Sequence, residues 1–333
     1  MAVLSVLDLA PIPEGSNPAQ SLRNSLDLAQ HAERWDYKRF WLAEHHNMAG
    51  IASAATSVAI GYVAGGTRTI RVGAGGIMLP NHSPLVIAEQ FGTLESLYPG
   101  RIDLGLGRAP GTDQRTWRAL RRDASAADNF PSDVQELQIL LGPSLPGQKI
   151  HAIPGMGTEV PLWILGSSLF GAQLAAMLGL PFAFASHFAP EMLADAIGVY
   201  RRGFKPSKQL ARPYVMVGCN VVAADTTEEA KFLFTSMQQA VARIVRGARG
   251  ARDQLPPPRT DMENFWTPDE EAQSESRLRY AFVGDEDGVR RQLATFIADT
   301  GADEVMVSAM IHDHAARLRS YELLADAGKK LGV

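Results

Sequence analysis

Short apolar runs recur along the whole chain, and most of them are followed by a segment with the apolar spacing of a helix. Val, Ile, Leu and aromatic residues fill these runs, as is typical of buried strands. Strands that alternate with helices form a parallel sheet, and eight such units are the count of a closed barrel. The pattern therefore predicts an α/β fold, a (β/α)8 TIM barrel, with strands at residues 2–9, 39–43, 69–79, 101–107, 161–166, 181–186, 214–223 and 303–311.

A doubly wound sheet is the alternative fold that the same alternation allows. That fold normally carries the glycine pattern G-x-G-x-x-G directly after its first strand, where the backbone approaches a dinucleotide phosphate. No such pattern follows residues 2–9. The chain leads instead to Asn17 and Pro18, a typical helix start. The barrel is therefore favoured.

Residues 226–280 interrupt the alternation before the last strand. Thr226 and Glu229 have the spacing of a capping box, which predicts a helix running to about Gly247. The segment after this helix is rich in Pro, Gly and charged residues and is too polar to form a core of its own. We therefore predict a single domain over residues 1–333 with an insertion at about 226–280, parts of which are mobile and form a lid.

Composition and charge narrow the class of protein. With 333 residues, of which 46% are hydrophobic, the chain can bury a large core. Its 32 basic and 36 acidic side chains give a net charge of -4 without a long basic run, so we expect no nucleic-acid partner. No Lys or Arg precedes Arg23, no stretch reaches the ~20 apolar residues of a membrane span, and Cys219 is the only cysteine. We expect no export signal, no membrane contact and a reducing, cytoplasmic environment.

A carboxylate and two adjacent histidines end the second predicted strand, in the sequence RFWLAEHHNM. Side chains of this kind are costly to bury without partners. Reactive groups of a TIM barrel lie at the carboxyl ends of its strands, so Glu44, His45 and His46 are expected on that face, as is His187 after a later strand. Successive side chains of an extended segment point to opposite sides, so at most one of the two adjacent imidazoles faces a ligand.

Two further strand ends carry groups that suit an anion. Ser167 and Ser168 lie where a helix should begin, and the free N–H groups of a helix N-terminus bind phosphate. Arg108 follows another strand and adds a guanidinium, the bidentate partner that a phosphate prefers. The alternative interpretation is that Ser168 only caps the helix.

Gly73, Gly75 and Gly76 are unusual inside a predicted strand. Glycine at such a position marks either a bulge or a place where a flat ligand, such as an aromatic ring system, lies against the main chain. Both interpretations remain open at this point. His312 and His314 have a spacing found in metal sites, but no cluster of carboxylates and cysteines accompanies them. No metal site is therefore predicted.

Three stretches together resemble the bacterial luciferase-like flavin monooxygenase family. They read FWLAEHHNMAGIASAATSVAIG, IRVGAGGIMLPNHSPLVIAEQFGTLESLYPGRIDLGLGRAPGTD and WILGSSLFGAQLAAMLGLPFAFASHF. The likeness extends over nearly the whole chain and is greatest to a branch of luciferase family oxidoreductases found in bacteria. Luciferase itself has a cysteine at the position of Gly107 and a carboxylate at that of Ser167, so light emission is not implied.

The resemblance implies a barrel that holds FMN at the carboxyl ends of its strands. It implies that His45 is the catalytic histidine and that a non-prolyl cis peptide joins Gly75 to Gly76 beneath the flavin ring. Arg108 and Ser168 match phosphate-contacting positions, in agreement with the suitability of these groups for an anion. The expected cofactor contacts are Ala74, Gly75, Gly76, Arg108, Ser167 and Ser168, and the expected substrate contacts are His46 and His187.

The leading hypothesis is therefore an FMN-dependent monooxygenase. Reduced FMN would come from a separate flavin reductase, because no NAD fingerprint is visible in the chain, and would react with O2 to oxidise a small organic substrate. One alternative is an enzyme that uses the deazaflavin F420 for hydride transfer, and another is a non-catalytic flavin-binding protein. Members of the family commonly pair through helices beside the early strands, so a homodimer is expected.

Overall fold

The structure, a computed structural model, describes residues 2–109, 114–122, 124–247 and 253–332. Every sheet pairing within them joins two parallel strands. The strands are β1 (Val3–Asp8), β2 (Arg39–Leu42), β3 (Arg71–Met78), β4 (Ile102–Gly107), β5 (Leu162–Gly166), β6 (Phe182–Phe184), β7 (Val215–Ala223), β8 (Ala281–Gly284) and β9 (Glu304–Ser308).

Eight of these strands close into a barrel. Strands β1 to β7 pair in chain order, and β9 lies between β7 and β1 and pairs with both. The predicted (β/α)8 barrel is confirmed, and each of the eight predicted strand regions contains one of its strands. The carboxyl ends of all eight strands lie at one end of the barrel, which we call the mouth.

Helices surround this barrel. Two of the starts predicted from sequence are confirmed, since Asn17 accepts a hydrogen bond from the N–H of Gln20 at 3.0 Å and Thr226 accepts one from the N–H of Glu229 at 3.2 Å. No helix of the described segments combines the length and the apolar character that a bilayer crossing requires. The helices are α1 (Pro18–Arg34), α2 (Thr56–Gly65), α3 (Pro84–Leu97), α4 (Gln114–Ala119), α5 (Phe130–Leu141), α6 (Leu169–Leu178), α7 (Leu193–Gly203), α8 (Thr227–Val245), α9 (Pro268–Arg277), α10 (Glu286–Thr300) and α11 (His314–Leu331).

The barrel interior is charged at its amino end and apolar in its middle. Arg39 donates to Asp103 at 2.7 Å and to Glu304 at 2.9 Å, and all three residues are buried. Above them Trp41 and Met306 belong to an apolar cluster made of strand side chains. Because the charged groups at the amino end are paired with one another, the polar groups at the mouth form a separate set.

The helix predicted at the start of the insertion is present, and a strand that the sequence pattern did not indicate follows directly after residue 280. Strand β8 pairs with the last four residues of β7, from Asn220 opposite Ala281 to Ala223 opposite Gly284, and lies outside the closed barrel. Its run of four residues is too short to stand out within a polar segment. The predicted lid includes residues 248–252, which lie outside the described residues. Leu255 pairs with the loop after β1, because its N–H donates to the carbonyl of Ile12 at 2.9 Å.

Candidate functional site

The candidate residues follow five strands that are neighbours in the barrel. Strands β2 to β6 are paired in sequence, and each ends at the mouth. Of the cofactor candidates, Arg108 and Ser168 therefore lie beyond the ends of two adjacent strands, and Gly75 lies inside the strand next to them, three residues before its end. His45 and His46 follow β2, Gly75 and Gly76 lie in β3, Arg108 follows β4, Ser167 and Ser168 follow β5, and His187 follows β6.

Glu44 is a fully buried charged group at the mouth, with 1% of its surface exposed. Its Oε1 atom accepts hydrogen bonds from Nε2 of His46 at 2.6 Å and from Nε2 of His82 at 2.8 Å, and a longer one from Asn81 at 3.4 Å. Its Oε2 atom accepts from the N–H of Met78 at 3.0 Å. Burial raises the pKa of Glu44, but the hydrogen bonds from the two imidazoles and from Met78 outweigh this effect and lower the pKa to about 2.

The protonation of Glu44 decides which nitrogen of each partner carries a proton. A carboxylate with a pKa of about 2 is ionised at neutral pH and can only accept hydrogen bonds. His46 and His82 both contact it through Nε2, so each ring carries a proton on that atom. The two rings are thereby oriented by a single charge.

His45 lies on the opposite side of the chain from this cluster. Ala43 belongs to the apolar cluster of the barrel interior, whereas Glu44 and His46 meet each other on the other side, as alternation along an extended segment requires. The Nδ1 atom of His45 is buried and has no hydrogen-bond partner in the described part of the chain. Burial, opposed by the charge of Glu44, lowers the pKa of His45, which is therefore neutral at pH 7. The expectation that the two imidazoles serve different sides is confirmed.

His187 sits against the backbone of β7. A Cβ atom on Gly218 would lie 2.4 Å from Nδ1 of His187, so only glycine leaves room for the ring. Nδ2 of Asn220 donates to the carbonyl of His187 at 2.6 Å, which fixes the segment after β6. Burial and then the positive charge of protonated His45 lower the pKa of His187 to about 4. Both imidazoles are thus neutral at pH 7 and lie within electrostatic range of each other.

Arg108 and the start of α6 form the candidate anion seat. The guanidinium carbon of Arg108 lies 4.3 Å from the ring centroid of Phe170, in the first turn of α6, and its Nε atom donates to the carbonyl of Ala127 at 3.2 Å. Ser168 is the N-cap of α6 but makes no capping hydrogen bond with its side chain, and it is exposed. Ser168 therefore occupies the N-cap position, but its hydroxyl does not bond to the helix, and its contact with an anion stays a prediction. Ser167, beside it, is half-buried.

The glycines of β3 are explained by packing within the barrel. The register between β3 and β4 shifts after Ala74, which is a bulge, and the peptide bond between Gly75 and Gly76 is cis, as the resemblance implied. A Cβ on Gly76 would lie 2.7 Å from the carbonyl oxygen of Gly105, and one on Gly75 would lie 2.7 Å from Leu7. The bulge interpretation is confirmed, and contact with a flat ring stays a prediction. The methyl group of Ala74 lies in the core between barrel and helices, so only its backbone is available to a cofactor.

Glu44, His46 and His82 also have the spacing of a metal site, since their ligand atoms lie within 4.8 Å of one another. Their N to O distances of 2.6 and 2.8 Å are those of charge-assisted hydrogen bonds, and a metal would have to displace both Nε2 protons. The arrangement therefore favours a hydrogen-bond network. His312 and His314 do not form a pair, because they bond to the carbonyl of Glu14 and to the carboxylate of Asp27, respectively.

Three residues of the mouth were not assigned a role from the sequence. His82 shares the Glu44 carboxylate, Phe170 supports Arg108, and Gly218 makes room for His187. Gly218 carries a signal that could have been used, since glycine inside a strand often marks a close approach. His82 is a polar residue just beyond a predicted strand, which places it at the mouth but does not predict its bond to Glu44. Phe170 carries no signal, because its role depends on which strands are neighbours.

The fold and the site together define a protein class. The sequence profile of the luciferase-like monooxygenase family matches residues 3–304, and the chain belongs to that family. Luciferase-like monooxygenases are oxidoreductases, which agrees with a TIM barrel whose polar groups are gathered at the mouth.

Individual relatives cover almost the whole chain. A luciferase-like monooxygenase of Escherichia coli K12 is 58% identical over 328 residues, which are 98% of this chain and 97% of the relative. The N-acetyl-S-alkylcysteine monooxygenase of Bacillus subtilis is 32% identical over 337 residues and 98% of each chain. Among solved structures, apo-MsnO8 superposes with a TM-score of 0.90 at 38% identity, covering 99% of both chains.

The low pKa of His187 predicts a pH dependence of stability. An unfolded histidine binds a proton below about pH 6.5, whereas His187 in the fold binds one only below about 4. The unfolded state therefore binds more protons within this window, and the free energy of unfolding falls as the pH drops through it. Because His187→Gln has no group that titrates at this position, its free energy of unfolding should fall less than that of the wild type as the pH drops through this window. Near pH 4.5 the two falls, measured by urea unfolding, should differ by roughly 2 kcal/mol. The exposed His151→Gln is the control, and parallel curves for wild type and His187→Gln would contradict the assignment.

Proposed function

We propose that the protein is an FMN-dependent monooxygenase that oxidises a small organic substrate. In the overall reaction one atom of O2 enters the substrate and the other leaves as water, with two electrons from the reduced flavin. The observation that carries the proposal is the seat at the ends of β4 and β5. There Arg108 is supported by Phe170, and the exposed hydroxyl of Ser168 makes no capping bond at the N-terminus of α6. A guanidinium, a hydroxyl and free helix N–H groups are the donors that a phosphate requires.

The chain's own residues have distinct tasks in this proposal. When bound, the flavin supplies the redox and oxygen chemistry, and the protein supplies position and a dry environment. His45 holds or moves a proton at Nδ1, since this buried atom has no partner in the described part of the chain and the ring is neutral at pH 7. His187 faces the same region and contacts the substrate. The side chains of Leu7, Trp41 and Met216 close the barrel below and exclude water.

The reduced flavin is proposed to come from a separate reductase, because the chain carries no dinucleotide fingerprint of its own. The substrate is proposed to be a small organic molecule. A relative with 32% identity is named for activity on N-acetyl-S-alkylcysteine, which supports this size class.

Replacement of Arg108 tests the phosphate seat. Arg108→Gln removes a charged donor, so the affinity for FMN should fall roughly tenfold or more. Riboflavin has the same ring without the phosphate, so it should bind more weakly than FMN. Its affinity should be the same for the wild type and for Arg108→Gln. Flavin fluorescence quenching measures both constants, and Arg202→Gln on the exposed side of α7 serves as the charge-matched control.

Two outcomes of this titration would overturn the assignment. If Arg108→Gln weakened riboflavin as much as FMN, the residue would not contact the phosphate. If the wild-type protein bound F420 at micromolar concentration and FMN not at all, the enzyme would belong to the deazaflavin-dependent hydride-transfer class instead.

Replacement of His45 separates catalysis from cofactor binding. His45→Ala should bind FMN within about threefold of wild type, while product formation should fall roughly 100-fold, as is typical when a general acid or base is lost. A panel of small organic molecules is incubated with reduced FMN and O2, and mass spectrometry detects products that have gained one oxygen atom. His151→Ala is the control. An unchanged product yield in His45→Ala, equal to that of free reduced FMN, would favour a non-catalytic flavin-binding protein.

We further propose a homodimer formed through α2 and α3. Helix α2 carries no charged side chain, yet Val58 is 73% exposed and Tyr62 and Val86 are about half exposed. Apolar side chains exposed side by side on neighbouring helices are typical of an interface. Light scattering should give the mass of two chains for the wild type and of one chain for Val58→Lys. Ile244→Lys, at an exposed position of α8, should leave the mass unchanged, and a wild-type monomer would refute the proposal.

A further inference from the structure

The end of β2 lies beside the part of β3 that contains the bulge. The two strands pair regularly up to Leu42 opposite Ala74, and the N–H of Glu44 then donates to the carbonyl of Gly76 at 3.3 Å. Beyond this point the chain of β2 turns away, with Asn47 in the left-handed region at φ 55°. Its backbone therefore leaves β3 just where β3 passes the cis peptide.

Beyond the last backbone hydrogen bond between the two segments, the side chain of Glu44 continues to connect β2 to β3. Its Oε2 atom accepts the N–H of Met78, two residues beyond Gly76 on β3. Its Oε1 atom accepts from His46 on its own segment and from His82 in the turn before α3. One carboxylate thereby holds three segments of the mouth: the end of β2, the end of β3 and the turn that follows it.

Only glutamate suits this position. The groups around the carboxylate are donors, and the ionised acid presents four lone-pair sites without a proton of its own. A glutamine would turn its NH2 group either toward the N–H of Met78 or toward the three donors on the other oxygen, and either orientation leaves buried polar atoms unpaired. An aspartate is shorter by one methylene and would not reach Met78 and both imidazoles together.

We propose that Glu44 is a positioning residue of the active site and that His82 belongs to the same unit. Glu44 sets the distance between His45, its neighbour in the chain, and the backbone of Gly75 and Gly76. It also fixes the rings of His46 and His82 with their Nε2 protons directed at the carboxylate. This inference rests on the proposed function for its catalytic meaning, whereas the orientation of the two rings stands on the geometry alone.

The test begins with the apoprotein, so that it does not depend on the cofactor. Nitrogen-15 labelling of the histidines reports by NMR which ring nitrogen carries the proton, and His→Gln variants assign the signals. At neutral pH, His46 and His82 should both carry the proton on Nε2. In Glu44→Leu both Nε2–H groups lose their acceptor, so their proton signals, protected in the wild type, should exchange with water and disappear. Retention of both signals in Glu44→Leu would overturn the proposal.

The second measurement is FMN affinity, which should fall roughly tenfold or more in Glu44→Gln. Glu33→Gln is the matched control, since Glu33 accepts the N–H groups of Arg68 and Ile70 near the opposite end of β3. It should leave both the tautomers and the affinity unchanged. If Glu33→Gln lowered the affinity equally, general destabilisation would explain the effect and the positioning role would be refuted.

A pair of variants at His82 covers the case in which a Glu44 variant does not fold. His82→Gln retains a donor toward Glu44 and should keep the affinity for FMN and the Nε2–H form of His46. His82→Leu should lose the affinity roughly tenfold. Equal behaviour of the two variants would contradict the proposal.

Two results would distinguish the positioning role of Glu44 from the proposed function and from a metal site. If wild-type protein fails to bind FMN while the Nε2–H signals disappear as expected in Glu44→Leu, the proposed function is wrong and the orientation of the rings stands. If the apoprotein binds Zn²⁺ stoichiometrically and both Nε2 protons are lost, the three residues form a metal site and the positioning role is refuted.

Discussion

A charge removed from water must be paired, and this constraint organises the barrel at both ends. At the amino end Arg39 is held between Asp103 and Glu304, which fills the interior with a satisfied network. At the mouth Glu44 is ionised because two imidazoles and a backbone N–H surround it. His45 and His187 each have a buried Nδ1 atom without a partner among the described residues, and burial lowers their pKa so that they stay neutral instead.

The paired groups at the mouth hold the site in place, whereas the groups without partners are the candidates for proton transfer. In the segment Glu44 to His46, one histidine is oriented by the carboxylate, and the other is directed to the interior side with a nitrogen that has no partner in the described segments. The adjacent histidines are therefore not redundant. The same division holds after β6, where Asn220 fixes the backbone of His187 while the ring nitrogen keeps no partner among the described residues. A neutral imidazole has one ring nitrogen free of a proton and can accept one there.

Much of this arrangement follows from the sequence, for a definite reason. Strands such as β1 and β7 are apolar runs of adequate length, and the helix starts at Asn17 and Thr226 carry local capping groups, so both signals are contained in a few neighbouring residues. Placing Glu44 and Arg108 at the mouth required only the rule that parallel strands end on one face.

The remaining features depend on contacts between distant parts of the chain. Phe170 under Arg108 and His82 beside Glu44 are pairings set by the order of the strands, not by local spacing. The glycines of β3 were correctly seen as unusual, but only the positions of Gly105 and Leu7 show that a close approach of two backbones excludes a side chain there. Strand β8 was not predicted, because four residues give too little periodicity in a polar surrounding.

Strand β7 is shared between two sheets, since its first part closes the barrel and its last part carries β8. Asn220, where the pairing with β8 begins, is also the residue that anchors His187. The inserted segment and the rim of the mouth are therefore attached to the same length of backbone. Divergence within the insertion can thus reshape the entrance and retune which molecules are accepted, while the strand ends that carry the reactive groups stay as they are.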